Sequence, residues 1–279
     1  MNYTESQKKF EQSFVSDINQ ENQKFINVPL MILKLESMYH EVDVIETLGK
    51  ISNITKEIKE TTTAFDTFYD IIQSTNNYLF DVIKIQGNSL DYHHPNNSFL
   101  NKVLQTKTGN PVSISIIYQE ICRQLGFDLM GIGIPEHYLL KHGNGESLIF
   151  LDPYNKGVLL TKKEVLQITN KKNKHSTNIK VSEDSIKEYG PRKTVLRVLN
   201  NLKFSFSSIN EFDKALWISN IILKIQPNNI QNLMHLISLH KELNNDSRAL
   251  EILDNYIEKS PEDSPITINL INIRKKLFN

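Results

Sequence analysis

The chain has 279 residues, enough for one large domain or two moderate ones with a substantial core. Lysine plus arginine and aspartate plus glutamate both number 32, so the charge balance gives no argument for direct binding to nucleic acid or to an anionic membrane. A single cysteine excludes an intramolecular disulfide framework and is consistent with a reducing compartment.

The N-terminal segment and the hydropathy pattern both indicate a protein of the cytoplasm. The first residues, MNYTESQKKFEQ, are polar and lack the apolar stretch of a signal peptide. The apolar run at residues 30–33 is far too short to cross a bilayer. We therefore predict a soluble, cytoplasmic chain with no membrane partner.

Residues 1–87 are predicted to form an N-terminal helical cap. Pro29 lies just inside a helix start behind Asn27, and the segment is almost free of glycine and proline. Along two further stretches apolar residues recur every three or four positions, as they do in amphipathic helices that pack one face on a partner surface. These residues are Ile45, Leu48, Ile51, Ile54 and Ile58, and then Phe65, Phe68, Ile72, Leu79 and Val82.

The next segment, GNSLDYHHPNNSFL, is rich in turn residues and carries the adjacent histidines His93 and His94. Adjacent histidines can bind a metal ion, but no cysteine or carboxylate cluster at ligand spacing accompanies them. We therefore predict turn and capping roles for this loop, with no metal and no cofactor. A short helix is expected from Ser98 to Leu104.

A well-defined helix start follows at Asn110 and Pro111. Asparagine is a favoured N-cap and proline a favoured first helical residue, and the apolar helix VSISIIYQEICRQ runs on from there. A helix N-terminus would stabilise a thiolate, yet neither residue is a nucleophile. Ser113 and Ser115 are the only nearby hydroxyls, although a serine in a helical turn more often bonds to the backbone. Cys122, three turns along, is interpreted as a small buried hydrophobic residue.

Two apolar runs after this helix read as a β-hairpin. The run from His137 to His142 (HYLLKH) and the run from Ser147 to Asp152 (SLIFLD) are separated by the turn-rich sequence GNGE. If this loop closes symmetrically, His142 faces Ser147 and His137 faces Asp152. Opposed residues lie close enough for an imidazole to donate a hydrogen bond to a carboxylate, which is the orienting half of a nucleophile–His–Asp arrangement.

These residues together resemble the transglutaminase-like superfamily, whose pattern is G-x-C at a helix start, R-x-L-G at its end, then a strand histidine and an Asp-Pro pair. Residues 123–126 (RQLG), His137 and Asp152-Pro153 match, while Pro111 stands where the family has its catalytic cysteine. The stretch NNSFLNKVLQTKTGNPVSISIIYQEICRQLG is similar to the SirB-type bacterial branch, in which G-x-P is usual and a tetratricopeptide tail follows. The resemblance covers the chain from about Tyr78 onward.

The segments around the hairpin complete the predicted core. Residues 127–134 are expected to form the first strand and residues 158–160 a short edge strand. The sequence TKKE at 161–164 is a capping box that opens another helix. The polar, basic stretch from Asn170 to Asn178 is predicted as a linker between domains.

Beyond this linker the sequence repeats itself with a period of 34 residues, which is typical of tetratricopeptide repeats. The clearest signature residues are Ala215 and Pro227, which recur as Ala249 and Pro261. Two repeats alone are marginal, so we expect support from a helix at about 185–199 and from a terminal helix at 266–278. Such arrays usually present a concave surface to a protein or peptide partner.

The residues and the resemblance together predict an α+β fold with a transglutaminase-like, cysteine-protease-related core. The predicted domains are an N-terminal helical cap (1–87), the core (88–180) and a C-terminal all-α unit of tetratricopeptide type (181–279).

Two functions are consistent with this organisation. The first is a non-catalytic regulatory protein that keeps the His137–Asp152 pair without the thiol, binds a protein or peptide through its repeats and touches no nucleic acid directly. The alternative is a hydrolase or acyltransferase that uses His137 and Asp152 with a serine, Ser113 or Ser115, or with an activated water molecule.

Overall fold

A computed structural model describes residues 4–63, 67–145, 148–173, 186–261 and 263–278. The chain divides into two compact units, Met1–Val198 and Leu199–Asn279. The first unit combines helices with a small antiparallel sheet, and the second is helical. None of the helices in the described ranges has the length and apolar character needed to cross a bilayer.

Side-chain caps define where the N-terminal helices begin. Asn27 accepts a hydrogen bond from Leu30 N at the start of the second helix, and Asp43 does the same for Glu46 N at the start of the third. The helices are α1 (Glu5–Asn19), α2 (Val28–Glu36), α3 (Val44–Glu60) and α4 (Phe68–Asn76), which continues in a π-helical turn (Asn77–Val82).

The core of the first unit is built on a buried central helix and the sheet beside it. The helix contacts α3 and the strand that begins with His137. Neighbouring strands in the sheet are antiparallel, in the order β6-β5-β4-β3-β7. The elements are β1 (Gln86–Gly87), α5 (Leu100–Thr106), β2 (Thr108–Gly109), α6 (Pro111–Gln124), β3 (Met130–Ile134), β4 (His137–His142), β5 (Ile149–Asp152), β6 (Val158–Leu160), α7 (Lys162–Asn173) and β7 (Lys187–Tyr189).

A buried carboxylate ties the helical cap to this core. Glu36, the last residue of α2, is 0% exposed, and its two carboxylate oxygens accept hydrogen bonds from the backbone N–H groups of Asn101 (2.9 Å) and Lys102 (3.1 Å). These N–H groups belong to the first turn of α5, where helix donors have no intrahelical partner. Burial raises the pKa of Glu36 to about 7, although the two hydrogen bonds and the Lys102 charge act in the opposite direction.

In the second unit, each helix from the ninth onward packs against the next helix in the chain. The helix α10 packs against α9 and α11, and α12 packs against α11. Ala215 and Ala249, which are 34 positions apart, are both 0% exposed in helices that close against their neighbours. Asn210 and Asn244, with the same separation, both adopt positive φ (61° and 54°) at turns between helices. The helices are α8 (Pro191–Ser208), whose residues from Leu199 onward belong to this unit, α9 (Phe212–Ile225), α10 (Ile230–Glu242), α11 (Asp246–Glu258) and α12 (Pro265–Phe278).

The same unit contains a lysine that is buried without an acidic partner. Lys203 is 3% exposed, its Nζ donates a hydrogen bond to Asn232 Oδ1 (3.2 Å), and it lies 4.8 Å from the centre of the Phe204 ring. No described carboxylate forms an ion pair with it. Burial lowers the pKa of Lys203 from 10.5 to about 8.

Replacing Lys203 with methionine is expected to stabilise the second unit. Methionine keeps the volume and removes a desolvated charge, so the free energy of unfolding at pH 7 should rise by about 1–2 kcal/mol. The folded chain releases the Lys203 proton at lower pH than the unfolded chain. The loss of stability caused by the buried charge in the wild type is therefore complete below about pH 8, and it fades as the pH rises towards 10.5. Denaturant unfolding followed by Trp217 fluorescence measures the difference, with the exposed Lys259→Met as the matched control. A loss of stability in Lys203→Met would show that the buried charge is compensated.

Several predicted boundaries differ from the structure. The first strand begins at Met130 instead of residue 127, and α7 runs on through Asn173, into the predicted linker. Residues 174–178 of that linker lie outside the described residues. The predicted helix at 185–199 is wrong at its start, because residues 187–189 form β7 and the helix begins at Pro191. Proline fixes a helical φ but disfavours helix in the residue before it, so it marks the first helical position.

Candidate functional site

The first feature of the candidate site is the histidine–aspartate pair. His137 opens β4 and Asp152 closes β5, and His137 Nε2 lies 2.8 Å from Asp152 Oδ2. The two residues are only 6% and 2% exposed. Because a carboxylate only accepts hydrogen bonds, Nε2 carries the proton, and Nδ1 is left as the acceptor and base. No described residue forms a second hydrogen bond with the His137 ring.

The strand register that produces this contact differs from the predicted one. His142 pairs with Ile149 and Leu140 with Leu151, so the strands are offset by two residues from the predicted pairing of His142 with Ser147. The connection therefore spans residues 143–148, longer than the predicted four-residue loop, and Ser147 lies outside the described residues. An even offset keeps every side chain on the same face of the sheet. His137 and Asp152 meet diagonally instead of directly opposite.

The turn after β5 holds the Asp152 carboxylate in place. Asn155 donates to it twice, from the backbone N to Oδ1 (3.2 Å) and from Nδ2 to Oδ2 (2.7 Å). The Gly157 N–H donates to the Asp152 carbonyl oxygen at 2.8 Å. The carbonyl of Gly157 in turn accepts from Asn76 Nδ2 (3.0 Å), and Asn76 Oδ1 accepts from Tyr118 on α6 (2.8 Å). The orientation of Asp152 is thus set by contacts reaching the central helix.

The pair lies on the wall of a cavity of about 590 Å³. Aromatic side chains form much of this wall, and the Tyr154 ring stands 5.8 Å from the His137 ring. Burial raises the pKa values of Tyr154 and Tyr92, and the Asp152 charge adds to the effect on Tyr154. The lining residues are Tyr92, His93, Pro111, Glu136, His137, Asp152, Tyr154, Asn155 and Ile168.

The helix start predicted at Asn110 is present, and it brings Pro111 to the cavity. Asn110 Oδ1 accepts from the N–H groups of Val112 (2.9 Å) and Ser113 (3.0 Å), and Asn110 Nδ2 donates to Ser98 Oγ (2.8 Å). Pro111 is the first helical residue and lines the cavity beside His137. Position 111 therefore shares the cavity with the imidazole but offers no atom that can attack a substrate.

The other candidate nucleophiles do not line the cavity. Ser113 is 0% exposed, and its hydroxyl donates to Asn97 O (2.5 Å) and accepts from Asn110 N (3.1 Å), so it closes the capping box. Ser115 is 0% exposed on the same helix. Cys122 is also 0% exposed, and burial raises the pKa of its thiol. These three residues are buried on α6 and are not exposed to the cavity, where a substrate would bind.

The two adjacent histidines have different positions. His94 Nδ1 accepts from Asn96 N (3.1 Å) and caps a short 3-10 helix, as a turn residue would. His93 lines the cavity, with its ring 5.2 Å from the Tyr92 ring. In the part of the chain that the structure describes, no group of three or more histidine, cysteine, aspartate or glutamate residues could hold a metal ion.

Sequence comparison finds similar proteins over much of this chain. A sequence model of the transglutaminase-like superfamily matches residues 45–200. A UPF0162 protein of Xylella fastidiosa strain 9a5c is 30% identical over 193 residues, which cover 67% of each chain. A UPF0162 protein of Buchnera aphidicola subsp. Baizongia pistaciae is 29% identical over 185 residues, 64% of this chain and 67% of that protein. Human F-box only protein 21 is 35% identical over 102 residues, 34% of this chain and 16% of that protein.

Proposed function

Because the chain belongs to the transglutaminase-like superfamily, we propose that it is a non-catalytic, regulatory member that uses the family's site to bind a partner. The protein keeps the His137–Asp152 pair as a fixed polar element in an open cavity. It recognises a protein or peptide and does not transfer an acyl group.

The observation that carries this proposal is the position of Pro111. An acyl-enzyme route requires a nucleophile that lies within about 3 Å of the base and next to the carbonyl carbon of the substrate. Pro111 lines the cavity at the start of α6. Its nitrogen is an amide nitrogen within the pyrrolidine ring and cannot act as a nucleophile. The hydroxyls in the cavity wall belong to Tyr92 and Tyr154, whose raised pKa values make them poor nucleophiles.

The second unit supports a partner-binding role. Three features favour a tetratricopeptide array. They are the 34-residue period, the buried alanines Ala215 and Ala249, and the left-handed backbone conformation of Asn210 and Asn244. We assign the chain to the SirB-type branch on the same grounds, with G-x-P at the helix start and such a tail. The partner is a protein or peptide of the cytoplasm. The balanced charge argues against direct contact with nucleic acid.

A hydrolase is the second candidate, and one contact favours it. His137 Nε2 is held by Asp152, which leaves Nδ1 as a base beside the cavity. A water molecule on Nδ1 could attack an ester or amide without a protein nucleophile. Among the described residues, only this water route fits the site, since Ser113 and Ser115 do not line the cavity.

Ester hydrolysis by the full chain separates the two candidates. We expect wild-type protein and His137→Ala to hydrolyse p-nitrophenyl acetate at the same rate, because no general base acts in a binding protein. His142→Ala, a histidine at the other end of the same strand, is the matched control. A wild-type rate that exceeds that of His137→Ala by tenfold or more, with the control unchanged, would establish the hydrolase instead.

A further inference from the structure

Aromatic rings line the His137 cavity, and neighbouring rings stand at nearly right angles to one another. The planes of Tyr92 and Tyr154 meet at 81° with ring centres 6.4 Å apart, and those of Tyr154 and His137 meet at 81° with centres 5.8 Å apart. The planes of Tyr92 and His93 meet at 87°. Perpendicular neighbours of this kind form corners instead of a stacked layer. We call the four rings of Tyr92, His93, His137 and Tyr154 the aromatic box.

Two hydrogen bonds and a close packing contact fix this box. The Tyr92 hydroxyl lies 3.4 Å from the Glu136 carbonyl oxygen, in the turn before His137. Tyr154 packs so closely on Gly87 that a Cβ there would lie 2.3 Å from the ring. His137 is held by Asp152. The ring positions are therefore set by the fold before any ligand enters.

The charged residues of the cavity wall are acidic. Glu136 and Asp152 line it, and no lysine or arginine does so among the described residues. Arg197 directs Nη2 to the carbonyl oxygens of Ile134 (3.4 Å) and His137 (3.5 Å). Its charge acts on Tyr92, but its side chain is not part of the wall. Both phenols are neutral near pH 7, since their pKa values are raised.

A box of aromatic faces with acidic groups suits one chemical class of ligand. The face of an aromatic ring is negative and attracts a cation, and the attraction grows when the cation is desolvated. An anion would meet Glu136 and Asp152 without a compensating cation in the wall. A purely apolar group would gain nothing from the negative charges of this wall.

We propose that the cavity beside His137 binds an alkylammonium group, such as the methylated side chain of a lysine on a partner peptide, between Tyr92, Tyr154 and the acidic wall. This inference rests on the proposed function as a binding site and names the chemistry that the site recognises.

The experiment compares choline with 3,3-dimethylbutan-1-ol, in which a carbon replaces the charged nitrogen. Binding to the full chain is measured by NMR titration. We expect choline to bind at least roughly tenfold more tightly than the alcohol, because the two share shape and differ in charge. Tyr154→Leu should weaken choline binding roughly tenfold, and Tyr154→Phe, which keeps the ring, should leave it unchanged. The exposed Tyr69→Leu is the matched control.

Peptides identify the source of the ammonium group. If the partner is a protein, a peptide with one trimethyl-lysine should bind more tightly than choline. If choline binds as tightly as the peptide, the ligand is a free small ammonium compound. Equal binding of choline and the alcohol, or no binding of choline to a folded wild-type chain, overturns the proposal. The ester assay is independent: hydrolysis with intact choline binding would overturn the non-catalytic role alone.

Discussion

Replacing Pro111 with cysteine is expected to give the chain one fast-reacting thiol. The introduced side chain would stand at the first position of α6, where the helix N-terminus favours a thiolate, and beside His137. Lowering the thiol pKa from about 8.5 to about 6.5–7.5 raises the thiolate fraction at pH 7 from about 3% to about 25–75%. Alkylation should therefore be severalfold, and at most about 25-fold, faster than that of an ordinary exposed cysteine. The rate of iodoacetamide modification between pH 5 and 9 measures the effect.

The native thiol does not interfere with this measurement. Cys122 is buried with a raised thiol pKa, so the wild-type chain and Pro111→Ala should remain unmodified on the same time scale. Adding His137→Ala to Pro111→Cys should slow the alkylation and shift its pH profile upward. If the introduced thiol reacted like a free cysteine, and His137→Ala left its rate unchanged, the imidazole would not be positioned as a base toward this helix start.

Replacing Glu36 with alanine is expected to destabilise the first unit by about 2–4 kcal/mol. The change removes both acceptors from the N–H groups of Asn101 and Lys102, and it leaves one buried and one partly buried donor without partners. Each unsatisfied buried donor costs about 1–3 kcal/mol, and the lost side chain adds a cavity. Urea unfolding of the full chain at pH 7 measures the difference.

The same carboxylate predicts a pH dependence of known sign. Its pKa is about 7 in the folded chain, against the ordinary 4.5 when unfolded, so the folded state binds more protons between these values. Its contribution to stability is therefore complete below about pH 4.5 and is lost as the pH rises through 7, by about 1–3 kcal/mol. Glu36→Gln imitates the protonated form and should abolish this slope. A wild-type chain with no such fall relative to Glu36→Gln between pH 5 and 8 would contradict the assignment.

Local signals explain which parts of the fold could be predicted from the sequence. The helix start at Asn110 depends on residues within three positions, and its capping contacts follow from their side chains. The contact between His137 and Asp152 required only that both residues lie on one face of the hairpin. The register itself depends on how the loop at 143–148 closes, which its glycines leave open. The local pattern placed the histidine and the aspartate together while missing the pairing by two residues.

The walls of the cavity could not be predicted in the same way. Tyr92 and His93 lie in a turn, and Tyr154 lies in a three-residue 3-10 helix (Pro153–Asn155). Segments this short show no period that would assign an aromatic residue to a face. Tertiary packing brings them together, through contacts such as Tyr154 against Gly87. For Asn155 the sequence does contain a signal. An aspartate followed three residues later by asparagine can form a turn that the aspartate side chain stabilises, as Asp152 does here.

The capping box at the start of α6 separates the chemistry of this position from its folding. The side chains of Asn110 and Ser113 accept hydrogen bonds from the N–H groups of Asn110, Val112 and Ser113, and none of these bonds involves the side chain at position 111. A change from a thiol to a ring, or the reverse, would leave the helix start intact and alter only what the cavity can do. A single substitution at position 111 can therefore change the chemistry of the cavity while the capping contacts that begin the helix remain.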